Sequence, residues 1–347
     1  MGNNHNNASS SSFESKNKRL RSTSKMSNSE DYTPVEKFDF MEPLGIAEDD
    51  ETNGLCFNGT YLPEEILLNI LSYIPPQNLL ALTLVCKTWC NMIKSEPLWM
   101  EVHKKRNPSS PRKKLPWYIY YCYHTTDSFK NMLKNGNGQE KFKHWKIISD
   151  EGDQFQIENP PKGSDPLPKD VPDFNGKTSC FVTSFYECNK VQEISLKEKR
   201  LLRYILNKFM PHIYVSEWMA GRFDCGCVYK LGIRGYNDQY YNYTYEELQS
   251  EDTRLRPLFQ MSKKVLIDQW QGRAWQKVEI LIEEYPKNVA VLVFEHEGQD
   301  TQFWKGHYGS KMSGGVVRVV FESIEPLGGT LKETNLRRLY RSDDMDV

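Results

Sequence analysis

LPEEILLNILSYIPPQNLLALTLVCKTWCNMIKSEPLW, Leu62 to Trp99, decides the fold class of the first ordered part of this chain. Pro63 stands where a helix can begin, because the first-turn N–H has no intrahelical partner to lose. Glu64 and Glu65 follow and complement the positive end of the helix dipole. Ile66, Leu67, Ile70, Leu71 and Ile74 then recur at helical spacing as one apolar stripe. Pro75 and Pro76 stop that helix. A second helix is expected over Asn78 to Val85, where Leu79, Leu80, Leu82 and Leu84 cover most of the circumference. A third is expected over Cys86 to Ser95, with Cys86, Trp89, Met92 and Ile93 on one side; Leu98 and Trp99 close the unit. Three helices in so short a stretch bury little on their own. The apolar residues also exceed what so small an interior can hold, so the pattern calls for a partner surface, within the chain or outside it.

Outward from this block the pattern changes. At roughly 150 residues per domain, a chain of 347 residues suggests about two domains. Residues 1 to 55 are rich in Ser, Asn and charge and poor in aliphatics, a composition expected to remain disordered. Lys16, Lys18, Arg19, Arg21 and Lys25 form a basic cluster, read as a solvated stretch or a nuclear localisation signal. Order is expected from about Tyr61, and the helical unit takes residues 58–105. Residues 107–116 read as a hinge within a linker, 106–141, whose later part regains aromatics and helical character. A polar, Pro-rich insert covers 158–174. From about 180 to 325 the period becomes two: Cys227, Tyr229, Leu231 and Ile233 alternate with polar neighbours, as do Val278, Ile280 and Ile282. Val289 to Phe294 and Val316 to Phe321 are β-branched runs between Gly and Pro. Short strands at this spacing indicate an antiparallel sandwich or barrel. Leu201, Leu202, Ile205, Leu206 and Phe209 mark one amphipathic helix inside it. Residues 326–347 form a tail.

Composition narrows the function classes. Lys and Arg total 45 against 46 for Asp and Glu, so no net field draws the chain to nucleic acid or an anionic membrane. No apolar run approaches the roughly 18 residues of a membrane span. No secretory h-region opens the sequence, and Asn6 breaks the myristoylation pattern after Gly2. A cytoplasmic protein is therefore expected, in which the sequons at Asn7, Asn58 and Asn242 are chance. The eight Cys are read as buried free thiols, with no metal and no cofactor. Cys225 and Cys227 have one residue between them, and Cys86 and Cys90 lie one helical turn apart, each pair without the further ligands of a zinc site. No phosphate loop, His-Glu-x-x-His or Gly-x-Ser-x-Gly occurs, so no catalytic residue is assigned. Glu295, His296 and Glu297 could mimic acid/base chemistry, but a hydrogen-bonded histidine at a strand end is the expectation.

One segment reads as a binding loop. Phe294 to Gly309 sets Phe303 and Trp304 side by side among polar residues and three glycines. Adjacent residues of a strand face opposite ways, so at least one ring is exposed or in a turn. Aromatic rings pack on the apolar faces of sugars while Asp, Lys and amides bond the hydroxyls. The residues alone leave open whether Trp304 binds a ligand or plugs the end of the sandwich.

The helical block resembles the F-box. Leu62-Pro63, Glu65, Ile66, Ile70, Leu71, Leu79, Leu82, Val85-Cys86-Lys87, Trp89 and Leu98-Trp99 cover the motif with its spacing intact. The resemblance implies a substrate-recognition adaptor that binds the Skp adaptor, and through it the cullin and RING subunits of a ubiquitin ligase, and is not itself an enzyme. The residues it carries to that contact are Leu62, Pro63, Ile66, Leu67, Ile70, Leu79, Leu82, Val85, Cys86 and Trp99. Residues 142–325 resemble the F-box-associated domain of the glycoprotein-binding F-box proteins. The matching pieces are Trp145-Lys146-Ile147, Phe181 to Phe185, Gly221 to Cys227, Trp275, Phe294-Glu295-His296, Gly298-Gln299-Asp300 and Trp304-Lys305-Gly306. This implies a galactose-binding-like antiparallel β-sandwich whose end loops hold the inner chitobiose of high-mannose N-glycans. The implied task is ubiquitination of misfolded glycoproteins exported from the endoplasmic reticulum. Trp304 would stack on the sugar, Lys305 and Asp224 would bond it, and Phe185 or Tyr186 would add a wall. Phe303 stands where the family's sugar binders typically have Tyr. It keeps the ring and loses a donor worth about 0.5–1.5 kcal/mol. The same departure supports an alternative, a sandwich that reads a protein surface. A carbohydrate-active enzyme would need paired carboxylates flanking a cleft, and none is evident.

Overall fold

Asn58-Gly59 turns the chain before the first helix begins. Asn58 at φ 50° and Gly59 at φ 76° join strands β1 (Cys56–Phe57) and β2 (Thr60–Tyr61) into a short antiparallel hairpin. The dipeptide is a strong hairpin signal, because both turn positions need positive φ. Order thus starts ahead of Tyr61: Leu55 is buried, and Trp89 Nε1 donates to Gly54 O at 2.8 Å. This computed structural model describes Met41 and residues 54–110, 114–244, 247–248, 255–322 and 324. The expected disordered segment, apart from Met41, Gly54 and Leu55, and its basic cluster lie outside the described residues, as does the tail 326–347. All described residues belong to one unit, Val35–Val347.

The helical block has α1 (Glu64–Leu71), α2 (Pro76–Leu79), α3 (Lys87–Ile93) and α4 (Glu96–Arg106). The second helix starts earlier than expected, because Pro76 itself takes the first turn, and it tightens into a 3-10 stretch over Leu80–Leu84. Leu98 and Trp99 do not merely close a three-helix unit. They lie in α4, which Pro97 opens, and both are fully buried, with Trp99 Nε1 donating to Ile93 O at 2.7 Å. The stripe on α1 splits: Leu67 and Leu71 face inward, while Ile66 and Ile70 face out.

Segment 106–141 is not a spacer. It carries α5 (Trp117–Thr125), whose Trp117, Ile119, Tyr120 and Cys122 are buried in the same apolar core as both the helical block and the sandwich. Trp117 lies against Trp99 with ring centres 6.3 Å apart. On the other side Tyr118 meets Tyr204 and Phe209 of α6 (Arg200–Phe209). Beyond a 3-10 turn at Asp127–Phe129, Met132 N donates to Val317 O, so this stretch extends the sandwich.

The sandwich comprises β3 (Lys146–Asp150), β4 (Gln156–Glu158), β5 (Cys180–Val182), β6 (Cys188–Ser195), β7 (His212–Ala220), β8 (Cys227–Tyr236), β9 (Phe259–Ile267), β10 (Gln276–Ile282), β11 (Val291–Asp300) and β12 (Lys311–Val320). One five-stranded sheet runs β10-β7-β12-β5-β4 and the other β3-β6-β11-β8-β9, with every pairing antiparallel. The registers decide where function can sit. Asp300 pairs with Cys227, and Cys227 with Ile267; Lys311 pairs with both Ala220 and Val182. The β3–β4, β5–β6, β7–β8, β9–β10 and β11–β12 connections therefore all emerge at one end. The insert 158–174 is tied down across that end: Gly163 O accepts from Phe223 N, Ser164 Oγ donates to Gly221 O, and Phe174 packs on Trp218.

All eight cysteines are free, but Cys56 is exposed and Cys86 half-buried, so the expectation of uniformly buried thiols fails at the hairpin and at the start of α3.

Candidate functional site

The β11–β12 loop is shaped from below by Asp300. This carboxylate is fully buried and accepts the backbone N–H groups of Gln302 at 3.0 Å and Phe303 at 2.5 Å. Burial raises its pKa, and the N–H donors of Phe303, Gln302 and Trp304 pull it back. The turn so fixed holds Phe303 at φ 55°, left-handed backbone that a bulky residue rarely adopts. That conformation breaks strand alternation, and both rings point outward: Phe303 is 60% exposed and Trp304 40%. The sequence required only one of them to be free.

Each ring has its own support. Tyr186, on the β5–β6 loop, meets Phe303 edge-on at 5.9 Å and in turn rests on Phe185 at 5.0 Å. Phe185 is half-buried and acts as backing; the exposed wall is Tyr186. Trp304 stands edge-on to Tyr308 at 5.7 Å, and Arg222 lies over the Tyr308 ring at 4.6 Å. Arg222 Nε also donates to Asp224 Oδ1 at 2.7 Å, while Gln269 Nε2 holds the Asp224 carbonyl at 3.0 Å. Asp224 is thus an oriented, paired carboxylate, and Lys305 is exposed beside Trp304. Asp224, Phe303, Trp304, Lys305 and Phe185 all lie in loops of the same sandwich end. Arg222 and Tyr308 were not singled out from the sequence, because nothing local marks a guanidinium that will bridge two loops. Two further exposed aromatics stand on adjoining loops, Phe223 and Trp270, the latter at φ 71°.

Glu295, His296 and Glu297 do not form one cluster. Alternation sends Glu295 to Arg234 and Glu297 to Lys230 on the outer face, and His296 into the core. His296 is not at a strand end. It is fully buried between the sheets and stacked on Trp145 at 4.7 Å. Its Nδ1 donates to Glu217 Oε2 at 2.6 Å, the Tyr229 hydroxyl donates to the same oxygen at 2.6 Å, and Lys190 Nζ donates to Nε2. Burial brings His296 down to about 4, although Glu217 draws it up. Burial also lowers Lys190, against the pull of Glu217; the ring faces of Phe181 at 3.4 Å and Trp145 at 3.8 Å favour its charge. Fully buried between the sheets, this network organises the core.

The helical block presents a different surface. Pro63, Ile66, Ile70 and Val85 are exposed, with Ile66 at 48%, Ile70 at 50% and Val85 at 57%; Leu62, Leu82 and Cys86 are half-buried. Tyr73 and Leu84 extend the apolar patch. Three residues must be removed from the expected contact. Leu67, Leu79 and Trp99 are fully buried in the chain's own core, so they hold the scaffold on which the exposed residues stand.

No group of His, Cys, Asp and Glu suited to a metal ion occurs among the described residues, and none of their helices is long and apolar enough to cross a membrane.

Comparison with known proteins agrees with this division. Residues 60–105 match the F-box-like family and residues 123–319 the F-box associated region. F-box only protein 6 of Mus musculus is 32% identical over 291 residues, 81% of this chain and 92% of that protein. F-box only protein 44 of Homo sapiens is 28% identical over 74% of this chain and 95% of its own length. F-box only protein 2 of Bos taurus is 27% identical over 74% and 82% respectively. Among solved structures, TmCBM61 in complex with beta-1,4-galactotriose aligns with 55% of this chain and 99% of its own at 12% identity. The TM-score is 0.32.

Proposed function

Since this chain belongs to the F-box proteins that carry an F-box-associated region, we propose that it is the substrate-recognition adaptor of a cullin–RING ubiquitin ligase and takes N-glycosylated clients through the aromatic end of its sandwich. The observation that carries the client reading is the pair of outward rings, Phe303 and Trp304, beside Lys305 and within one loop cluster with the oriented carboxylate of Asp224. Rings offer the apolar faces on which a pyranose packs, and charged groups at their edges meet its hydroxyls and acetamides. High-mannose glycans offer such a face at their inner chitobiose. Clients bearing them in the cytoplasm are misfolded glycoproteins withdrawn from the endoplasmic reticulum. The adaptor contributes position and no chemistry of its own.

The Skp adaptor would cover Pro63, Ile66, Ile70 and Val85, with Leu62, Leu82 and Cys86 at the margin. Full burial of such a side chain is worth about 1.5–3 kcal/mol. Half-exposed residues retain on the order of 1 kcal/mol each to release on docking.

Titration of the full chain with chitobiose, followed by tryptophan fluorescence, tests the client reading. Saturable binding lost in Trp304→Ala supports it; no response at millimolar sugar from folded protein overturns it. A second reading, a sandwich that recognises a protein surface, is favoured by Phe303 in the tyrosine position and by the neighbouring exposed Phe223 and Trp270. Client capture that survives enzymatic removal of N-glycans would select it.

A further inference from the structure

Ser184 is fully buried, yet three loops of the aromatic end meet at it. It follows β5 and precedes Phe185 and Tyr186, the two rings that flank Phe303. Its hydroxyl bonds in both senses between loops. It accepts the backbone N–H of Asp153, on the β3–β4 loop, at 2.7 Å, and donates to the carbonyl of Gly306, on the β11–β12 loop, at 3.2 Å. The Ser184 carbonyl accepts Asp300 N at 3.0 Å, and the Thr183 carbonyl accepts Gly309 N at 3.2 Å. Residues 183–184 thus hold the entry, the middle and the exit of the loop that carries Phe303, Trp304 and Lys305. His307 Nε2 closes the clasp by donating to Asp153 O at 3.0 Å. So close an approach needs a glycine on the β3–β4 loop. Gly152 sits at φ 72°, and a Cβ on it would come within 2.7 Å of Ser184 Oγ and 3.1 Å of the Phe185 ring.

These bonds are not equivalent. Those at the entry and exit join backbone to backbone and do not depend on the side chain at 184. The middle of the loop is tied down by side chains. Asp300 captures the amides of Gln302 and Phe303, and Ser184 captures the carbonyl of Gly306. Trp304 and Lys305 lie between these two anchors. Asp300 fixes the turn ahead of them, and Ser184 fixes the chain behind them.

We propose that Ser184 is a positioning residue for ligand binding: its hydroxyl latches the loop between Trp304 and Tyr308, so that Trp304 and Lys305 are held in place before a sugar arrives. A loop ordered in advance spares the ligand the cost of ordering it. The inference rests on the glycan reading of this loop and adds to it the buried group that organises the site from below.

Ser313 supplies a matched control. It is a fully buried serine of β12 that accepts from Asn137 Nδ2 at 3.2 Å and donates to Ser179 O at 2.9 Å, both away from the loop. Wild type, Ser184→Ala and Ser313→Ala, each as the full chain, are compared by chitobiose titration of tryptophan fluorescence and by hydrogen exchange without sugar. Ser184→Ala should weaken chitobiose about two- to tenfold, the worth of one hydrogen bond, and speed exchange over residues 301–309. Ser313→Ala should lower the melting temperature while leaving both readouts at their wild-type values. Wild-type affinity in Ser184→Ala overturns the proposal. So does an equal loss of affinity in Ser313→Ala, which would mark the effect as general destabilisation. If the wild type itself ignores chitobiose, the glycan reading fails separately and exchange alone decides the latch. Faster exchange confined to 301–309 in Ser184→Ala then sustains it, and unchanged exchange overturns it.

Discussion

Acid should loosen this protein through a residue that never meets solvent. His296 is fully buried and donates through Nδ1 to Glu217, while Lys190 donates to its other nitrogen, so a second ring proton has no acceptor to meet. In an unfolded chain its imidazole takes a proton near pH 6.5. In the fold it resists down to about 4. Between those values the unfolded state binds more protons, so stability is full above about pH 6.5 and falls as the pH falls. The whole gap is worth about 3 kcal/mol at 1.36 kcal/mol per pH unit, and a little over 1 kcal/mol is gone by about pH 5.5. His124, held at about 3, and Lys190, lowered by burial, act in the same direction, and His124→Gln removes the first from the measurement. Carboxyls raised by burial, Asp150, Glu187 and Asp300, act oppositely, gaining stability as the pH falls through their folded values. Urea unfolding of His124→Gln is therefore compared between about pH 7.5 and 5.5, beside a proton NMR titration of the His296 ring. A ring that titrates above pH 6, or unfolding free energies equal within about 0.5 kcal/mol, would refute the account of the buried network.

Four other outcomes follow from the structure. Ile66→Glu combined with Ile70→Glu should abolish capture of the Skp adaptor in a pull-down while leaving the circular dichroism spectrum and melt intact, because both side chains are half exposed. Leu67→Ala, one residue along the same helix, should instead cost about 2–5 kcal/mol of stability. Phe303→Tyr should raise chitobiose affinity about two- to tenfold by restoring one donor, measured by fluorescence titration. Lys311 and Glu158 form a buried pair at 2.7 Å. Glu158→Ala should cost about 3–5 kcal/mol in urea unfolding by stranding the ammonium, and Lys311→Met added to Glu158→Leu should recover most of it.

Much of the architecture could be read along the chain because it is written in local periodicity. The stripe of α1, the amphipathic α6 and the alternation of β8, β10 and β11 each follow from side chains a few residues apart. The first hairpin is also legible in Asn58-Gly59, a turn dipeptide whose asparagine happens to head a chance sequon. The fourth helix is hidden because Leu98 and Trp99 look like the end of a motif; only the course of the chain to Arg106 shows what they anchor.

What the sequence alone determined is which residue types are available: an F-box-like run of apolar residues, a set of alternating strands, and two neighbouring aromatics in a glycine-rich loop. What only the tertiary structure decided is which of them face outward. Leu67, Leu79 and Trp99 share a motif with Ile66, Ile70 and Val85, and packing against α5 and the sandwich separates scaffold from surface. Phe303 and Trp304 both point out because a buried Asp300 captures the backbone amides of their turn. Arg222 reaches Tyr308 across a gap of more than eighty residues because strand register brings both loops to one end. Periodicity is a property of neighbours in the chain. Exposure and loop convergence belong to neighbours in space, and those are set only when the sheets pair and the core closes.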